Sequence, residues 1–266
     1  MLTQQQIKYF HTFGFLIFRQ LFSQDELNTI HQEFEGAMET AYHHAPFDGT
    51  RRHWLPMMGP ETPFFTNLPE DSRFCEVAEH LYGEDVFFVV SDANRYVGNT
   101  GWHPDHHADP TQDCYGVKFA YYLEPVGAES GALRLIPASH KNPFHEELRE
   151  NLSRLGLEVC DVPSYVCESE PGDVVAFDMR CWHASWGGSD DRRMCTMVYY
   201  NNPKTPEEDA ATRDRASRNA KTPEQFNRPG SPLYHPHWVA NPQRSEKRQR
   251  WIDRLHELGF LDAVQT

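Results

Sequence analysis

Residues 173–188, DVVAFDMRCWHASWGG, open on the apolar run DVVAF directly after Gly172 and reach a histidine at 183. A run this short, bounded by turn residues, reads as a buried strand, because a helix would need ten or more residues of 3.6 periodicity. Comparable runs stand at VFFVVS (86–91), YGVKFAYYL (115–123), ALRLI (132–136) and MCTMVYY (194–200), separated by Gly, Pro, Asn and Asp. Short strands in series, with no helical pattern between them, predict an antiparallel sandwich or barrel.

Outward from this block the pattern changes. Thr3 with Gln6, and Ser23 with Glu26, have capping-box spacing, each ahead of apolar residues at helical intervals, with FLIF (15–18) between them. The first forty residues therefore predict helix, strand, helix. Residues 45–71 break into Pro, Gly and aromatics, which suggests a lid or binding loop or an irregular crossover. After Pro203 a polar, turn-rich stretch leads to SEKRQRWIDRLHELG, whose Trp251, Ile252, Leu255 and Leu258 share one helical face before Gly259. The reading is one domain over 1–266: N-terminal helices and lid loop over 1–82, barrel core over 83–203 and a C-terminal extension over 204–266.

Composition narrows the function. The formal net charge of −14 opposes phosphate backbones and anionic lipid, so neither nucleic acid nor a membrane surface is expected as a partner. No apolar stretch approaches membrane-span length and MLTQQQIKYF lacks the pattern of a signal peptide, which leads to a cytoplasmic expectation. The six cysteines show no CxxC pair, so free, mostly buried thiols are expected. Monomer and homodimer both stay open.

The stretch NTGWHPDHHADP (99–110) concentrates His103, Asp105, His106 and His107. If it enters a strand, His103 and Asp105 point to one side. Alone the pair is weak, since 15 histidines among 39 carboxylates produce roughly two such matches by chance. His183 supplies a third donor at a strand end. Two histidines and a carboxylate on a small barrel form the facial triad that binds Fe(II) and leaves positions open for co-substrate and dioxygen. Arg192 and Arg193 follow at the mouth of the next strand, where a guanidinium suits a distal carboxylate. A zinc hydrolase is the alternative, but neither HExxH nor an HxHxDH run occurs; a catalytically silent ligand-binding barrel is the third reading.

Together LTQQQIKYFHTFGFLIFRQLFSQDEL, WHPDHH, ESGALRLIPASH, PGDVVAFDMRCWHAS and GGSDDRRMCTMVYYNNP resemble, in order, the motifs of the phytanoyl-CoA dioxygenase family of Fe(II)- and 2-oxoglutarate-dependent oxygenases. The resemblance spans nearly the whole chain and implies a double-stranded β-helix (jelly-roll, cupin-like) fold, mainly β with flanking helices. It implies that His103, Asp105 and His183 hold the iron and form the catalytic centre, with 2-oxoglutarate and O2 as co-substrates. It further implies an arginine on 2-oxoglutarate. Alignment to the downstream aromatic and Asn positions selects Arg193, whereas a small polar residue in the strand would select Arg192; only one can face the interior, because neighbours alternate. Asn94, Thr100 and Lys118 are candidate co-substrate contacts. Arg52, Trp54, Tyr96 and His107 are candidate contacts to a small-molecule substrate. The expected reaction is hydroxylation of an unactivated C–H bond with release of succinate and CO2.

Overall fold

Strand residues pair into two antiparallel sheets in a computed structural model that describes residues 1–188, 190–226, 228 and 231–261. In chain order the strands are β1 (Phe15–Phe18), β2 (His53–Pro56), β3 (Phe87–Tyr96), β4 (Thr100–His103), β5 (Gly116–Tyr122), β6 (Leu133–Leu135), β7 (Tyr165–Cys167), β8 (Val174–Asp178), β9 (His183–Ser185) and β10 (Arg192–Tyr200). The larger sheet runs β1-β8-β5-β10-β3-β2 and the smaller β4-β9-β6-β7. They pack as the two layers of a jelly roll and do not close into a continuous barrel.

Alternation along the central strands explains their unbroken apolar sequences. In β5, Val117, Phe119 and Tyr121 join the main core, while Ala120 faces the small sheet. In β8, Val174 and Ala176 face the main core, and Val175 and Phe177 meet Leu133, Leu135 and Cys167 of β6 and β7. A strand buried on both faces needs no polar alternation.

Most of the longer helices cover the outer face of the large sheet: α1 (Gln4–Phe13), α2 (Gln24–Ala41), α3 (Ser72–Tyr82), α5 (Pro206–Asn219) and α6 (Glu246–Glu257), whereas α4 (Phe144–Leu155) packs Leu148 and Leu152 against Ile136, Trp102 and Trp182 beside the small sheet. Both capping boxes form. Thr3 and Gln6 exchange side-chain-to-backbone bonds at the start of α1, as Ser23 and Glu26 do at α2, and each satisfies two N–H groups that lack a helical partner. Gly14, at φ 91°, ends α1 in the left-handed region and turns the chain into β1. Helix α6 lays Trp251 against Phe88 and Tyr199. Its buried Arg248 donates to Glu70, Thr66 and Asn67, which ties the C-terminal segment to the N-terminal half.

Segment 45–71 is more ordered than its composition suggests. It supplies the edge strand β2, and Trp54, Met57 and Met58 are buried in the main core. None of the helices in the described residues is long and apolar enough to cross a membrane.

Candidate active site

Strands β4 and β9 lie side by side in the small sheet with His103 opposite His183. Their imidazole centres are 4.3 Å apart. Nδ1 of His103 lies 2.8 Å from the Gly101 carbonyl and Nδ1 of His183 lies 2.9 Å from that of Cys181. A carbonyl only accepts, so each ring carries its proton on Nδ1 and keeps the Nε2 lone pair as a metal donor.

Asp105 arrives differently from the sequence expectation. Strand β4 ends at His103, so same-side parity does not place the carboxylate. A turn does, with the backbone N–H groups of Asp105 and His106 both donating to the Met179 carbonyl, at 3.0 and 3.1 Å. Donor atoms of His103, Asp105 and His183 then fall within 4.8 Å of one another. Lys118 of β5 donates to Asp105 Oδ2 at 2.7 Å, and His183 Nε2 is 3.8 Å from the same oxygen.

The electrostatics favour the protonation states a metal needs. Burial alone would raise the Asp105 pKa, but Lys118, and then His183 and His103, outweigh it and hold the carboxyl well below the usual range. Burial pushes His183 down to about 3 against the opposing pull of Asp105. Two imidazoles and one carboxylate face a single point, a donor set that fits Fe(II).

Arg192 and Arg193 divide between the faces of β10, and Arg192 is the one inside. It is buried and donates from Nη2 to Ser185 Oγ (3.0 Å) and from Nη1 to the Gly98 carbonyl (3.2 Å). Its Nε is buried without a partner among the described residues. Gly131 and Gly188 make room for it, since a Cβ at either position would come within 2.1 or 1.9 Å of Nη1. Arg193, the residue selected by alignment, turns outward instead, to Glu124 (Nε–Oε2 3.1 Å) and Glu35 (Nη1–Oε1 2.9 Å). Inward parity passes through Arg192 and Met194, which line the cavity, while Cys195 and Met197 enter the main core.

The other candidates separate in the same way. Arg52, Tyr96, Thr100 and Lys118 line the cavity beside the three ligand candidates. Asn94 is buried behind the wall, where it accepts from Arg52. Trp54 is not a wall residue, since it stacks on Phe226 in the core at 5.1 Å. His107 turns away, with Nε2 3.2 Å from Glu146 Oε1 and its ring against His145. Sequence reasoning missed Ser185, Gly131 and Gly188, although the ESGALRLIP and HASWGG segments contain them; an unexplained glycine in each was the available signal.

A second group, His106, Asp113 and Cys114, also has donor atoms within 4.8 Å. It is closed to metal in this arrangement, because Arg215 and Arg218 already pair with Asp113 and burial pushes the Cys114 thiol up. Arg215 also donates to the Asp105 carbonyl at 3.0 Å, so α5 supports the ligand loop from behind.

Facing sheets with two histidines and a carboxylate at one mouth define the class of mononuclear non-haem metal enzymes. Residues 10–195 match the model for phytanoyl-CoA dioxygenase (PhyH), and the chain belongs to that family. It is accordingly a non-haem iron, 2-oxoglutarate-dependent dioxygenase. An ectoine dioxygenase of Stutzerimonas stutzeri (strain A1501) is 24% identical over 237 residues, covering 74% of this chain and 75% of the relative. Among solved structures, HygX from Streptomyces hygroscopicus, with nickel and 2-oxoglutarate bound, superposes with a TM-score of 0.61 at 19% identity, over 77% of this chain and 89% of its own. EctD from S. alaskensis, with 2-oxoglutarate and 5-hydroxyectoine, gives 0.57 at 22%, over 77% and 79%. At these identities the likeness is one of fold.

Proposed function

We propose that this enzyme hydroxylates an unactivated C–H bond of a small metabolite while 2-oxoglutarate is converted to succinate and CO2. The observation that carries the reading is the convergence of His103, Asp105 and His183 on one point of a cavity that also receives the buried, incompletely bonded Arg192. Iron held by the three residues supplies dioxygen activation and the oxidant. Arg192 binds the distal carboxylate of 2-oxoglutarate through the guanidinium it presents to the cavity. Thr100 and Ser185 present hydroxyls to the same space, and Phe177, Leu133, Ala120 and Met194 form apolar walls that limit water. Asp105 keeps a carboxylate in the ligand set, which favours hydroxylation over halogenation.

Anaerobic titration with Fe(II) and 2-oxoglutarate tests the reading. A weak visible charge-transfer band is expected, followed in air by succinate formation that a screen of small metabolites accelerates. A chain that binds Fe(II) but produces neither the band nor succinate would refute it.

A further inference from the structure

Arg52 enters the cavity from the segment before β2, and the groups that hold it are uncharged. Its Nε donates to Asn94 Oδ1 at 2.9 Å, and Nη2 donates to the same oxygen. The guanidinium carbon sits 4.0 Å from the centre of the Tyr96 ring and 4.8 Å from that of Phe226. Asn94 is itself fixed, because its amide donates to Asp92 Oδ1 at 2.7 Å and the same oxygen accepts from Thr196 Oγ1 at 2.9 Å. The side chain is thus pre-ordered by an amide and two rings. No carboxylate lies within ion-pair distance of it among the described residues, and Nη1 donates to none of them.

Charge counting within the cavity sharpens this. Among the described residues its walls carry Arg52, Lys118 and Arg192 against the single carboxylate Asp105, in a chain whose net charge is −14. A divalent ion and the dianion of 2-oxoglutarate carry equal and opposite charge, so loading both leaves the positive surplus of the walls in place. Arg192 is then engaged by the co-substrate, and Lys118 stays beside Asp105, 2.7 Å from Oδ2, on the metal side of the cavity. Arg52 is left as a positioned cation without a counter-ion, and such a group in a partly desolvated cavity favours an incoming anion.

On the strength of the oxygenase reading, we infer that the substrate carries an oxyanion, a carboxylate or a phosphoryl group, and that Arg52 binds it. Charge-assisted bonds from Nη1 anchor the anion, and the Tyr96 and Phe226 rings keep the guanidinium from swinging away. Arg52 is therefore a specificity residue, and the anion it holds fixes which carbon is presented to the metal.

The full chain loaded anaerobically with Fe(II) and 2-oxoglutarate is titrated with propionate and with propylphosphonate, using propionamide as the neutral control. Perturbation of the visible band and the melting temperature report binding. At least one anion is expected to bind saturably and the amide not. Arg52→Gln is expected to weaken the anion by roughly tenfold or more, and Arg52→Lys to restore part of the loss, whereas 2-oxoglutarate affinity changes by less than about twofold in either variant. Equal anion binding by Arg52→Gln and the parent overturns the inference, as does equal binding of amide and anion or failure of the parent to bind either anion. A loss of 2-oxoglutarate affinity in Arg52→Gln as large as that in Arg192→Gln also overturns it, since Arg52 would then serve the co-substrate. Absence of the visible band from the parent would instead overturn the oxygenase reading, and this inference with it.

Discussion

Arg192 and Arg193 are neighbours in β10 whose guanidinium groups lie on opposite faces of the large sheet, one buried beside Ser185 and the other paired with Glu35 and Glu124. The two arginines should therefore separate co-substrate binding from stability. Arg192→Ala is expected to raise the 2-oxoglutarate dissociation constant by about 10- to 1000-fold, the loss of a charge-assisted partner worth about 1.5–4 kcal/mol. Arg193→Ala should leave it near the parent value and cost about 1 kcal/mol of stability, since its ion pairs are partly exposed. Calorimetric titration and urea unfolding of both variants measure the difference.

Alanine at His103, Asp105 or His183 is expected to abolish iron retention and succinate formation with little change in far-ultraviolet circular dichroism, because the three sit at the mouth of the cavity rather than in the main core. Metal analysis after gel filtration is the check. A variant that keeps its iron and its turnover removes that residue from the ligand set.

Bound at Asp105, a metal ion would share the carboxylate with Lys118, which donates to Oδ2 at 2.7 Å. Lys118→Met should tighten Fe(II) binding in the absence of 2-oxoglutarate by roughly tenfold, the equivalent of one charge-assisted hydrogen bond of about 1.5 kcal/mol, and should lower the stability of the metal-free protein. The rise in melting temperature on adding Fe(II) anaerobically is expected to be larger in the variant than in the parent.

Arg215 holds the ligand loop through the Asp105 carbonyl and through Asp113. Arg215→Met should cost about 2 kcal/mol, less than the loss of a fully buried pair because Arg218 still reaches Asp113. Iron affinity should fall with it even though no ligand is changed, and equilibrium dialysis against Fe(II) measures this.

The acid limb of stability should depend on Asp178. Burial disfavours its charge, but Arg180, at 2.6 Å, and the Tyr82 hydroxyl, at 2.7 Å, bring its pKa down to about 2 from an ordinary 3.8. A carboxyl with a depressed folded-state pKa stabilises the protein above its unfolded-state pKa, and that contribution is lost as pH falls through the folded-state value. Asp178→Asn should thus be less stable than the parent by about 2 kcal/mol near neutral pH, with the gap closing between roughly pH 4 and 2. A gap independent of pH would show that shape, not charge, is what Asp178 contributes.

Features set by local chemistry are legible in the amino acids alone. The capping boxes at Thr3 and Ser23 lie within four residues each, the strands announce themselves as short apolar runs between turn residues, and His103, Asp105 and His183 stand out because few side chains bind metal. Tertiary structure decided whatever depended on which face a residue shows. Strand β10 is buried on both sides, so MCTMVYY carries no alternation from which to read parity, and a one-residue change of register exchanges Arg192 with Arg193. The same holds for segment 45–71, where β2 pairs with β3 and buries Trp54, while Arg52, just before the strand, is held at the cavity by Asn94. His107 was lost to Glu146 across a distance that no local pattern encodes. The cradle of Arg192 needs Gly98, Gly131, Ser185 and Gly188, residues from separate segments that only the packing of β10 against the small sheet brings to one guanidinium.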